Sequence, residues 1–188
     1  MSAKKIVITG GPSTGKTSVI HHLEKLGFTC LHEVIRFMTL EKKEEEIETV
    51  FKTNPIVSVS DPKEFNQRIL DARIEQYTSV ANTVEENIFF DRGIPDVLAY
   101  MDCFDQTYDT AFGEACKNHT YDAVFILPPW KEIHISDNER FESYEESILV
   151  HECLFNCYTR FGYVVQVVPQ MSVGKRVTYI LDHLNKKA

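Results

Sequence analysis

Residues 10–17 read Gly10-Gly11-Pro12-Ser13-Thr14-Gly15-Lys16-Thr17, the spacing G-x-x-x-x-G-K-[ST], and Ser18 follows them. These residue types suit one task, the holding of a phosphate. Successive backbone N–H groups surround an anion only where side chains stay clear, and glycine also accepts dihedrals that other residues resist. A helix opening behind the loop aims its positive end at the same anion. Lys16 is then placed to reach β- and γ-phosphates, and the Thr17 hydroxyl to ligate Mg2+. The competing reading is a glycine-rich turn. However, the apolar run "IVIT" before the motif and "VI" behind it put a strand and a helix on the sides that phosphate binding requires.

A loop of this kind works with a second acid on the magnesium side, at the end of another buried strand. "NIFFDRG" offers Asp91 there. A turn aspartate paired with Arg92 is the alternative. Glu33, in "LHEVIR", stands at the end of a further strand. It either accepts a proton from an acceptor hydroxyl or bridges to Arg36, and the two readings are balanced. Arg140 lies in the polar stretch "WKEIHISDNERFESYEES". Over the phosphates it would stabilise charge on a transferring group; left in solvent it is an ordinary surface arginine. Lys131 is a weaker candidate for the same work. After the fifth strand, "PQMSV" sits where a purine could rest.

Other chemistry finds little support. His21 and His22 are adjacent on a helix and point apart. His151, Cys153 and Cys157 share a helix, but no other segment completes a four-ligand metal set. There is no G-x-S-x-G. The 5 cysteines are odd in number and form no C-x-x-C pair, which favours reduced thiols and a cytoplasmic location. A formal charge of −8 argues against nonspecific nucleic-acid binding, which relies on a basic face. No apolar run approaches the ~20 residues of a membrane span. The start, "MSAKK", leads straight into a strand and does not read as a signal peptide. At 188 residues, with 43% hydrophobic and 26% charged residues, the chain reads as one domain over 1–188, with a lid over about 131–143. Oligomer formation is left open.

The elements that must position these residues follow from pattern. "KKIVITG" reads as a buried strand, with a helix behind it from about Thr17 to Leu26 and a break at Gly27. "FTCLHEV" is a second, weaker strand. "EKKEEEIETVFKTNPIVSVSDP" reads as a solvated helix and a loop. Asp61 as N-cap, Pro62 in the first helical position and Glu64 as capping partner open a long helix. Its apolar stripe runs through Leu70, Ile74, Tyr77, Ala81 and Val84. "NIFFDRG", "YDAVFILPP" and "YVVQVVP" are the remaining strands. Between them come helices over "PDVLAYMDCF", the "AFGEAC" region and a segment capped by Ser143 and Glu146 that runs to about Arg160. A last helix covers about Val173 to Lys186. Continuous apolar strands separated by helices predict an α/β fold with a parallel sheet covered on both faces, its ligands beyond the carboxyl ends of the strands.

The order of "VITGGPSTGKTS", "HEVIR", "FFDRGIPDVLAY", "VFILPPW", "DNERFESYEES" and "YVVQVVP" resembles the small P-loop proteins classed as AAA-domain ATPases. Within these it is most similar to the nicotinamide-riboside-kinase type and the wider nucleoside and nucleotide kinases. The resemblance covers nearly the whole chain. It implies a three-layer P-loop NTPase fold with strand order 2-3-1-4-5, Mg-nucleotide on residues 10–17, Asp91 serving the metal, and Arg92 and Arg140 serving phosphoryl groups. Where the family often carries a second lid arginine, this chain has Phe141.

The expectation is therefore an enzyme that binds Mg-ATP and passes its γ-phosphoryl to a small acceptor of nucleoside type, or to water. A nucleotide-gated module with slow hydrolysis, binding ATP or GTP, is the alternative. Adenine is expected over guanine, because no guanine-reading N-K-x-D occurs.

Overall fold

A computed structural model of the chain describes residues 3–35, 62–134 and 143–185. Five strands form one sheet: β1 (Lys4–Thr9), β2 (Thr29–Leu31), β3 (Asn87–Asp91), β4 (Ala123–Ile126) and β5 (Val165–Val167). The helices are α1 (Lys16–Lys25), α2 (Pro62–Ser79), α3 (Pro95–Cys103), α4 (Thr110–Asn118), α5 (Tyr144–Arg160) and α6 (Val173–Asn185), with a 3-10 turn at Lys131–Ile133. The sheet order is β2-β3-β1-β4-β5, every pairing parallel. The parallel sheet is the one the strand pattern predicts, and its order is the one the family resemblance implies.

Strand side chains alternate faces, and here both faces are apolar. Ile6, Ile8, Phe89 and Phe125 point to one side, where Val19, Ile20 and Leu23 of α1 meet Val177, Ile180 and Leu184 of α6. Val7, Ile88, Phe90, Val124 and Ile126 point to the other, under α2 to α5, where Ile69, Leu98, Phe112, Val150 and Leu154 cover them. Each fully buried side chain of this size is worth about 1.5–3 kcal/mol, so the two cores hold the carboxyl ends of β1, β3 and β4 in a rigid row.

Local signals set the element ends. Ser143 and Glu146 cap α5 reciprocally: Ser143 N donates to Glu146 Oε2 at 2.6 Å and Glu146 N to Ser143 Oγ at 3.1 Å. Pro62 and Glu64 open α2; Asp61 and the charged run 41–60 lie outside the described residues. One expectation needs correction. The α2 stripe does not extend to Ala81 and Val84, because the helix ends at Ser79 and Val84 is fully exposed. Thr78 Oγ1 donates to the Ile74 carbonyl and Ser79 Oγ to that of Gln76, a competing use of the backbone that favours termination.

The loop after β1 is built against β4. Gly10 has φ 147°, and a Cβ there would stand 2.5 Å from the Leu127 carbonyl oxygen. Gly10→Ala is therefore expected to lower stability by about 1–3 kcal/mol through strain and displaced backbone. A denaturant titration checks this, and an unchanged midpoint would show that β4 yields without cost.

Candidate active site

The register brings the chemistry together before any side chain is considered. Ile8 of β1 pairs with Asp91 of β3, Thr9 with Ile126 of β4, and Arg92 N donates to the Ile8 carbonyl at 3.0 Å. Residues 10–17 and Asp91 thus leave adjacent strands at the same edge, as a parallel sheet dictates. The loop turns through Ser13 at φ 54° and Gly15 at φ 84°, and Gly15 opens α1. No acidic residue lies in the first turn of α1, so nothing there opposes an anion at its positive end.

Lys16 curls over the loop and donates from Nζ to the carbonyls of Gly10 at 2.8 Å and Gly11 at 2.7 Å. Removal from water, with Arg92 nearby, brings its pKa down to about 7 despite the opposing pull of Asp91, Glu33 and Asp96. Thr14 Oγ1 donates to the Gly11 carbonyl at 3.0 Å and braces the turn.

Asp91 is buried, and its Oδ1 has no hydrogen-bond partner. Burial first, then the Glu33 carboxylate, push its pKa up against the pull of Lys16 and Arg92. A buried oxygen without a partner at the end of β3 suits a divalent cation. Arg92, the alternative turn partner of Asp91, bonds to other carboxylates instead. The Arg92 guanidinium bonds through Nε to Glu33 Oε2, and through Nη1 to Asp96 Oδ1 at 3.2 Å, while lying 5.1 Å from the Tyr100 ring centre. Arg92 holds φ 75°, a conformation costing a non-glycine residue about 1–3 kcal/mol, and these bonds offset the strain.

Glu33 lies just past β2. Its Oε1 accepts from Arg73 Nη2 at 2.7 Å, while Oε2 accepts from Arg92. The structural alternative expected for Glu33, a bridge to Arg36, falls outside the described residues; the clamp found comes from Arg73 of α2 and from Arg92 just past β3. Arg140 and Phe141, with 135–142 as a whole, are also outside them. Lys131 is in the described 3-10 turn and is exposed.

Four residues went unread in the sequence. Asp96 accepts from Thr9 Oγ1 at 2.6 Å, Gly93 N at 3.0 Å and the buried Tyr158 hydroxyl. Burial would raise its pKa, yet Arg92, Arg73 and the hydroxyls hold it below the ordinary carboxylate range. Asp96 thereby anchors Arg92. Arg73 and Asn66 are buried on the core face of α2. Arg176 of α6 is 3% exposed and donates from Nη1 to the Thr14 carbonyl and from Nε to the Met171 carbonyl, each at 2.8 Å. Its guanidinium lies 4.7 Å from the ring centre of Trp130, the single tryptophan. The signal for three of them was a polar residue inside an apolar helical stripe: Asn66 four before Leu70, Arg73 three after it, Arg176 four before Ile180.

In a trans peptide the carbonyl and the next N–H point opposite ways. Because Arg176 holds the Thr14 carbonyl, the Gly15 N–H points away from that guanidinium and its orientation is fixed with it. Arg176→Ala is expected to weaken binding of a non-hydrolysable ATP analogue by about tenfold, the scale of one lost buried hydrogen bond to charge. Calorimetry checks this, and wild-type affinity would make Arg176 a packing residue only.

Burial pushes the Cys30 and Cys157 thiols up to about 12, which leaves neither as a nucleophile near neutral pH. Among the described residues no group of three or more His, Cys, Asp or Glu could hold a metal by itself, and no helix is long and apolar enough to cross a membrane.

Comparison with solved structures returns the same fold. The chain is similar to deoxyadenosine kinase from M. mycoides, solved with products dCMP and dCDP, at 20% identity and a TM-score of 0.64, covering 97% of this chain and 99% of that one. It is similar to the NadR protein in complex with NR at 15% identity and a TM-score of 0.71, covering 98% of this chain and 50% of that one. Thymidylate kinase from Ehrlichia chaffeensis matches at 12% identity and a TM-score of 0.66, covering 98% and 100%. No curated protein matches the sequence. A family model described as an AAA domain matches residues 5–176, nearly all of the sheet and the loop over residues 10–17, and the chain belongs to that family.

Proposed function

We propose that this protein binds Mg-ATP on residues 10–17 and transfers the γ-phosphoryl group to the hydroxyl of a small acceptor. The observation that carries the reading is the meeting of the loop, Asp91 and the clamped Glu33 at one edge of the sheet. Lys16 and the loop N–H groups hold the phosphates. Asp91, with its unpartnered Oδ1, and the Thr17 hydroxyl are the residues that would hold Mg2+, which neutralises phosphate charge when bound. Glu33 keeps lone pairs beyond those given to the arginines and takes the acceptor proton. The acceptor oxygen forms its bond to the γ-phosphorus as the bond to the bridging oxygen breaks, releasing ADP. Arg92 fixes Glu33 and faces the transferring group; Arg140 would add a second cation from the segment 131–143. The kinases of similar fold support this reading.

ADP release measured with and without a panel of small hydroxylated acceptors tests the proposal. Turnover well above the acceptor-free rate is expected. A rate indifferent to every acceptor would favour a nucleotide-gated module. ATP is expected to outcompete GTP in binding, since no N-K-x-D reads guanine; a clear preference for GTP would reverse that assignment.

A further inference from the structure

All 5 cysteines lie among the described residues, and all are free thiols. They differ in company and in access. Cys30 stands apart on β2, with its Sγ toward the Ile20 carbonyl at 3.8 Å. Cys116 of α4 and Cys157 of α5 are 1% and 2% exposed, and the Cys157 thiol donates to the Pro95 carbonyl at 3.4 Å. An oxidant in water reaches neither. Cys103, the last residue of α3, and Cys153, in the middle of α5, are both half-buried, and their thiols are hydrogen-bonded to each other.

The fold holds this pair in place from several sides. The Tyr158 hydroxyl of α5 donates to Asp96 in the first turn of α3, and Arg160 Nη2 donates to Asp102 Oδ2 at 2.9 Å. Asp102 also accepts from the Tyr108 hydroxyl at 2.8 Å. Met101 near Cys103, and Val150 and Leu154 near Cys153, are buried in one common core. The two sulfurs therefore meet on helices already fixed against each other. From thiol contact, the ~2.05 Å of a disulfide is reached chiefly by side-chain rotation. Burial first, then the bond to Cys153 and the carboxylates of Asp105 and Asp102, push the Cys103 pKa up and make its thiolate scarce. The first attack on an oxidant accordingly falls to Cys153, and Cys103 is the resolving thiol.

We infer that Cys103 and Cys153 are a site of reversible thiol–disulfide modification by a small disulfide of the glutathione type, and that the resulting bond staples α3 to α5. The Cys153 thiolate attacks one sulfur of the small disulfide, whose S–S bond breaks and releases one thiol. Cys103 then loses its proton and attacks Cys153 Sγ, and the second small thiol leaves. Two protein thiols are oxidised and one small disulfide is reduced to two thiols, which take up the two protons. The bond closes about fifty residues, α4 and β4 among them, a constraint on the unfolded chain larger than a short loop would give. This inference does not depend on the phosphotransfer reading.

The test incubates the full reduced chain with oxidised glutathione at pH 8, followed by mass spectrometry of the intact protein and of its peptides. The expected product has lost two hydrogen atoms, carries a Cys103–Cys153 link, and returns to the starting mass with dithiothreitol. It should melt about 5 °C or more above the reduced form. Cys103→Ser is expected to stop at a stable mixed disulfide on Cys153. Cys153→Ser should slow loss of the Cys103 thiol at least tenfold. A link through Cys30, Cys116 or Cys157, a bond only between two chains, or thiols that all persist in excess oxidised glutathione overturns the site. A Cys103–Cys153 bond that leaves the melting temperature unchanged overturns the staple.

Discussion

Glu33→Gln is expected to lower phosphoryl transfer by roughly 10²-fold or more, the usual scale for a positioned base, while affinity for Mg-ATP changes little. The substitution preserves shape and one acceptor oxygen but removes the charge. Its amide nitrogen would face a guanidinium, donor against donor, so a stability loss of about 1–3 kcal/mol should accompany the rate loss. The two effects are separable. Single-turnover transfer measured well below the melting temperature reads the chemistry, and a thermal melt reads the clamp. If transfer persists at the original rate while the melt drops, Glu33 serves only to hold Arg73 and Arg92 apart. Arg92 keeps its bond to Asp96 in the variant, so the end of β3 is expected to stay ordered.

Lys16→Ala should weaken the binding of Mg-ATP by an order of magnitude or more, since a charge-assisted contact to phosphate is lost. Its pH signature is more specific than its size. In the protein without nucleotide the Lys16 pKa is about 7, against 10.5 for a free lysine. Phosphate oxygens favour the protonated form, so binding draws a proton onto Lys16: about half a proton at pH 7 and nearly one at pH 8. Affinity should therefore be greatest below pH 7 and fall by up to about tenfold per unit above it, until the pKa in the complex is reached. Calorimetry in buffers of different ionisation enthalpy counts the protons, and the alanine variant removes Lys16's share. Equal proton uptake in wild type and variant would show that Lys16 stays charged throughout. The same depressed pKa opposes folding below about pH 7, and that penalty fades as pH rises toward 10.5.

The strand-to-helix turn at residues 10–17 was legible because its ingredients are local: consecutive amides, glycine dihedrals and a lysine that opens the helix. The parallel sheet was equally legible, since strands such as "KIVIT" and "NIFFD" must be covered on both faces. The position of Asp91 at the end of such a strand was legible for the same reason. What the sequence left balanced was the partner of Glu33, because the nearest cation in sequence, Arg36, competes with any cation that folding brings near. The structure supplies Arg73 from forty residues away and Arg92 from just past the neighbouring strand β3. Arg176, which holds the Thr14 carbonyl across 162 residues, shows the same limit. Periodicity tells which helix face is buried, and it marks Asn66, Arg73 and Arg176 as polar intruders on such faces. It does not tell which atoms they meet there. Those partners are set by register, crossover and packing, long-range quantities that only the assembled sheet and its two helical layers decide.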